Sequence, residues 1–184
     1  MTHTQTLDPA QEIRIEAVHR GILYKQLYAA ACLLTSAQTG AISVVVEQDE
    51  DIELVTPAGR CYIQVKTRSQ ADIRSAMDRF DALRKEHQLG RRLGHATFVV
   101  VVNRALGPSL AEQVETGNLA DDVEILCPGR ACSGRLGQLP PAWAGIDEAV
   151  AWCVDRVTTV PLAMSAPDSL VWKLTGRVQA AAAG

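Results

Sequence analysis

The sequence has no run of about 18 apolar residues and no basic stretch leading into a short apolar one, so neither a membrane span nor a secretory leader is legible in it. A cytoplasmic setting is the expectation. It has no Walker A motif, no Gly-x-Gly-x-x-Gly and no internal repeat, which leaves nucleotide hydrolysis and repeat architectures unsupported. Cys-x-x-Cys is absent too. The five cysteines, Cys32, Cys61, Cys127, Cys132 and Cys153, are odd in number and irregularly spaced, which argues against a disulfide framework and against structural zinc. They read as small buried hydrophobes. Trp143, Trp152 and Trp172 all fall late in the chain, where packing in a core or an interface accounts for them better than stacking on bases. His19, His87 and His95 read as surface or capping residues rather than ligands. With 184 residues, 47% hydrophobic and 21% charged, there is room for one globular domain with a substantial core, but not for two.

The net charge of -3 speaks mildly against a nucleic-acid binder, yet the distribution is uneven. Residues 1–59 hold three Lys/Arg against eight Asp/Glu, and residues 60–95 hold nine against four. This basic block comprises Arg60, Lys66, Arg68, Arg74, Arg79, Arg84, Lys85, Arg91 and Arg92. Gathered on one face, these cations would reach several phosphates; the plainer account is a solvated helix surface.

Periodicity sets out the elements. Beyond a polar start expected to be disordered over residues 1–9, apolar residues recur at helical spacing through 10–35, with Gly21 inside as a close helix contact or a break, and Thr39-Gly40 as the end. Strands are predicted at 41–47, 51–55 and 60–67, forming a meander. A helix follows from Gln70 to Leu89, ended by Gly90. The continuous apolar run at 96–102 is predicted to be a strand buried on both sides at the sheet centre. A short helix near Ser109, a strand at 123–126, a loop at 127–145 and a helix at 146–157 complete the domain, expected over residues 1–157. Residues 158–184, with Pro161, Pro167, an amphipathic stretch from Leu170 to Val178 and an Ala-rich end, look like a linker or C-terminal extension.

The chemistry lies in residues 51–66, D-I-E-L-V-T-P-A-G-R-C-Y-I-Q-V-K, where an acid on one short strand faces Gln-x-Lys on the next across a Pro-Ala-Gly turn. Alternation puts Asp51, Glu53 and Val55 on one face and Tyr62, Gln64 and Lys66 on another, and antiparallel pairing would let the polar groups converge. Two oxygen donors and a cation there are costly to bury alone. A hydrated divalent cation and a phosphate would supply the partners. The plainer account is a turn acid beside an exposed ion pair.

The order of helix, three-stranded meander with Asp then Gln-x-Lys, helix and strand resembles the PD-(D/E)XK nuclease core in its Mrr-like form, an α/β restriction-endonuclease-like fold with a mixed central sheet flanked by helices. More narrowly, H-R-G-I-L-Y-K-Q-L-Y-A-A at 19–30, V-E-Q-D-E-D-I-E-L at 46–54 and Y-I-Q-V-K-T-R at 62–68 look like the double-stranded DNA endonuclease domain of bacterial anti-phage defence proteins. The resemblance covers residues 12–155. It implies a metal-dependent endonuclease that hydrolyses phosphodiester bonds of double-stranded DNA, serving as a defence effector activated by homo-oligomerisation and joined to a sensor or STAND-type NTPase module. It further implies Mg2+ (or Mn2+) held by Asp51, the Gln64 side-chain oxygen and the Val65 backbone carbonyl, with Lys66 orienting the attacking water. One carboxylate and one neutral amide hold Mg2+ weakly, so a second acid is expected: Glu16 on the first helix, with Glu53 as the competing choice. Gln26 matches a helical Tyr/Gln motif of the family and reads equally as a site or a structural residue. Arg68, Arg74 and Lys85 are candidate phosphate contacts. The alternatives are a catalytically inactive nuclease-like module that binds DNA or protein, and a structural oligomerisation domain.

Overall fold

The computed structural model describes residues 8–48, 50–67, 73–116, 118–130, 138–159 and 166–183. Helix α1 (Pro9–Leu34) opens with Asp8, whose carboxylate accepts the Ala10 amide, and with Pro9 at its first position, where a missing N–H costs nothing. A single turn, α2 (Ser36–Thr39), leads to Gly40 in the left-handed region, so the expected stop at Thr39-Gly40 closes this extra turn rather than α1 itself.

Three strands follow as a meander: β1 (Ser43–Val46), β2 (Ile52–Thr56) and β3 (Gly59–Lys66), antiparallel to one another. Helix α3 (Arg74–Gln88) then carries the chain across to β4 (His95–Val102), parallel to β3, and α4 (Pro108–Glu115) carries it to β5 (Val123–Leu126), parallel to β4. The result is one five-stranded mixed sheet in the order β1-β2-β3-β4-β5. β3 rather than β4 takes the middle position. Phe98 to Val102 of β4 are nevertheless buried on both faces, which accounts for the unbroken apolar run.

The alternation of β3 divides the core in two. Cys61, Ile63 and Val65, with Ile52, Leu54, Val99 and Val101, pack with α1 and the late helices α5 (Ile146–Thr158) and α6 (Pro167–Ala182). Tyr62, with Phe98, Val100 and Ile125, packs under α3 through Ala76, Phe80 and Leu83, and α4 adds Leu110 and Val114. The molecule is thus mixed α/β with helices on both faces of the sheet. Among the described residues no helix is long and apolar enough to cross a membrane.

Of the two readings of residues 158–184, linker or C-terminal extension, the structure shows a packed extension: α6, whose Val171, Thr175 and Val178 are buried and which packs on α1 and α5. Its spacing of four and then three residues is that of a core-facing helical stripe, and Pro167 marks a helix start rather than a break. The described end of the 127–145 loop is tied to α1 at Pro140 and Trp143. The Tyr24 hydroxyl donates to the Trp143 carbonyl and accepts its N–H, both at 2.9 Å, and the Tyr28 hydroxyl donates to the Pro140 carbonyl at 2.7 Å. Residues 1–7, within the stretch expected to be disordered, lie outside the described residues.

Candidate active site at the end of strand β3

The two-residue turn at Pro57-Ala58 pairs Thr56 with Gly59, and that register carries through to Ile52 opposite Ile63. Gly59 has to be glycine, because a Cβ there would lie 2.0 Å from the His95 carbonyl oxygen. Continued one residue, the register sets Asp51 opposite Gln64. The Asp51 carboxylate turns onto the end of β3, where its Oδ2 accepts from Gln64 Nε2 at 2.5 Å and from the Val65 amide at 2.7 Å. Its Oδ1 accepts from Lys25 Nζ at 3.0 Å. The same ammonium donates to Glu47 Oε1 at 3.0 Å. Glu47 stands at the start of the β1–β2 loop with φ +54°, a left-handed conformation that non-glycine residues seldom adopt, and its N–H reaches the Asp51 carbonyl at 3.2 Å.

Asp51 is therefore a nearly buried carboxylate, its side chain 11% exposed, with both oxygens engaged. Burial works most strongly against the Lys25 charge, but Asp51 and Glu47 together outweigh it, and the pKa of the ammonium is raised above its ordinary value. Lys25 is held there by the way α1 crosses the end of the sheet. One turn earlier, Gly21 presses on the residue after β3, and a Cβ would come within 2.8 Å of Thr67 Oγ1. Gly21 is the close helix contact, not a break.

Lys66 follows Gln64 on the same strand face, but its ammonium reaches Ser75 Oγ on α3 at 3.3 Å instead of Asp51. Asn103, immediately after β4, donates its N–H to the Lys66 carbonyl at 3.4 Å; its Oδ1 is buried with no partner among the described residues. Asp51, Gln64, Lys66, Thr67 and Asn103 thus share one end of the sheet, at the C-terminal ends of two parallel strands. In open α/β sheets ligands commonly bind beyond the carboxyl ends of the strands.

The remaining candidates lie elsewhere. Glu16 is exposed on α1, bonded to Arg20 at 2.6 Å and nine residues before Lys25, about 13 Å along the helix axis, so it is not brought to Asp51. Glu53 is buried but forms an ion pair with Arg60. Gln26 is half-buried on α1 and is not among the partners of Asp51. Val65 meets Asp51 through its N–H, not its carbonyl. Arg68 lies outside the described residues; Arg74 and Lys85 are exposed on α3.

Much of the basic block is engaged in ion pairs and a ring contact within the chain. Arg60 pairs with Glu53, Arg79 with Glu50 at 3.4 Å, Arg84 with Asp81 and with Asp122 at 2.7 Å, and Arg91 with Glu86 at 2.9 Å. Arg92 lies over the Tyr62 ring.

The groups that touch the Asp51 carboxylate are nitrogens, Lys25 Nζ, Gln64 Nε2 and the Val65 N–H; a cation there would meet the hard oxygens of Asp51 itself and, after a half-turn of its amide, of Gln64, a donor type that suits Mg2+ or Mn2+. Among the described residues no three His, Cys, Asp or Glu side chains converge as a ready-made cage. Mg2+ does not require one, since it commonly takes one or two carboxylates, several waters and a substrate phosphate. Lys25 and Glu47 were missed in the sequence reading, although Lys25 sits within the helical motif that carries the resemblance. Asn103, the first polar residue after the apolar run, was missed as well. Comparison with protein-family models, curated proteins and solved structures finds no match for this chain.

Proposed function

We propose that the chain is a metal-dependent endonuclease of PD-(D/E)XK type, hydrolysing phosphodiester bonds of double-stranded DNA at the C-terminal end of β3. The observation that most supports this is the meeting of Asp51 and Gln64 across the β2–β3 register with Lys66 two residues on. The order of meander, crossover helix and parallel strand supports it further. Asp51, the Gln64 amide oxygen and the Val65 carbonyl are the residues that would hold Mg2+ or Mn2+. The cation, when bound, acidifies a water and neutralises charge on the phosphate. Lys66, half-exposed and hydrogen-bonded to the Ser75 hydroxyl, could swing its ammonium toward a developing negative charge. The wider role, an anti-phage effector activated by assembly and coupled to a sensor or NTPase module, rests on the sequence resemblance alone.

A second reading is favoured by one specific observation. With both Asp51 oxygens engaged and four arginines of the basic block paired with acids, the chain also suits a nuclease-like module that binds DNA or protein without cutting. The two separate in a plasmid assay. Purified protein at several concentrations, with Mg2+ or Mn2+, should nick or linearise supercoiled DNA, and Lys66→Ala should abolish cutting while leaving the fold unchanged. An intact plasmid at every concentration, with DNA binding equal in chelator and in metal, would select the binding module.

A further inference from the structure

Lys25 holds two carboxylates at once, 3.0 Å from Glu47 Oε1 and 3.0 Å from Asp51 Oδ1, so those oxygens are at most about 6 Å apart. Neither acid is placed there by strand geometry alone. Glu47 holds a left-handed backbone at φ +54°, and Asp51 stands one residue before the β2 ladder begins, yet both bond one ammonium. The side chain of Lys25 is 27% exposed, so its four-carbon stem has a route to solvent without unfolding α1. A single positive charge between two carboxylates leaves one negative charge uncompensated. A divalent, oxygen-seeking cation compensates both and is smaller than the ammonium with its stem.

We propose that Lys25 is the resident counter-ion of the metal site: a divalent cation entering between Glu47 and Asp51 expels the Lys25 ammonium, and Glu47 then supplies the second carboxylate. The proposal rests on the metal-dependent reading above and deepens it. Lys25 sets the cation concentration at which the site becomes loaded, and it holds the two acids together in the meantime. Glu47 fills the place for which Glu16 lies too far along α1 and Glu53 is committed to Arg60.

The test measures Mn2+ binding to the full chain by titration calorimetry and by loss of the free-ion EPR signal, at fixed ionic strength, for the wild type, Lys25→Met, Lys25→Arg and Lys25→Met/Glu47→Gln. Removal of the ammonium should tighten Mn2+ at least tenfold; Lys25→Arg should stay near wild type; the double variant should lose most of the gain. Because Lys25→Met leaves two acids facing each other and risks misfolding, a second measurement uses the wild type alone. Lys25 is labelled by reductive methylation with and without Mg2+, and its labelling should rise several-fold with the metal. Unchanged affinity in folded Lys25→Met, or labelling indifferent to Mg2+, would overturn the proposal. Tighter Mn2+ binding without plasmid cleavage would keep the counter-ion role and reject the nuclease. No Mn2+ binding by any variant would overturn both.

Discussion

Replacing Asp51 should damage the fold as well as any chemistry, and the size of the damage follows from its three partners. In Asp51→Ala the Val65 N–H loses a charge-assisted bond of 2.7 Å at the end of a buried strand, worth about 1.5 to 3 kcal/mol. Lys25 keeps Glu47, so the broken ion pair adds only about 1 kcal/mol. The Gln64 amide is half-buried and regains water. The expected loss is therefore about 2 to 4 kcal/mol, or roughly 5 to 15 °C in Tm for a domain of this size. Lys66→Ala, which gives up one 3.3 Å bond at an exposed hydroxyl, should stay within about 0.5 kcal/mol of wild type. Urea unfolding followed by tryptophan fluorescence measures both, with the slope compared between variants to check that the transition remains two-state. A folded Asp51→Ala protein as stable as wild type would refute this reasoning, since it would mean that the carboxylate contributes nothing to the end of β3. A more stable one would go further: it would place Asp51 among groups held at a cost to the fold for the sake of a ligand.

Two further outcomes follow from the core. Burial pushes the Tyr24 hydroxyl from an ordinary 10.0 up to about 12, and because the folded-state pKa is the higher, the stability this contributes is full below pH 10 and is lost as pH rises toward 12, by about 2 to 3 kcal/mol. An ultraviolet titration of tyrosinate beside circular dichroism should show Tyr24 ionising only as the fold is lost, whereas early ionisation in a folded protein would contradict the burial. Truncation after residue 159 removes α6 with its buried Val171 and Val178, each worth about 1.5 to 3 kcal/mol, and uncovers apolar surface on α1 and α5; the truncated chain should lose cooperative melting, and a melt unchanged from the full chain would restore the linker reading.

What was legible in the sequence and what was not divide along a physical line. The β2–β3 register was legible because Pro57-Ala58 fixes the pairing and period-2 alternation does the rest, so Asp51 beside Gln64 follows from counting. The sheet face of each β3 residue follows in the same way. How far along its axis α1 crosses the sheet edge is not encoded in its period, and for that reason Glu16 was chosen where Lys25 stands. Glu47 depends on a loop conformation that β propensity does not describe. The basic block looked available because sequence displays charges without their partners: Arg84 finds Asp122, 38 residues away. The amphipathic stretch at 170–178 was legible in its spacing, but proline and alanine resemble a linker composition, so whether it packs on the domain was not.

Helix α1 leads two lives. From Tyr24 onward it lies in the core, but residues 9–20 are all exposed, and Ile13 and Val18 stand in water at 67% and 52%. Twelve exposed helical residues, with no tertiary support among the described residues, are marginal on their own. The helix thus melts inward from Pro9 at little cost and stops where Gly21 meets Thr67, so the rigid part of α1 begins one turn before Lys25. Local unfolding can consume half of the longest element in the molecule and leave the Asp51 cluster intact.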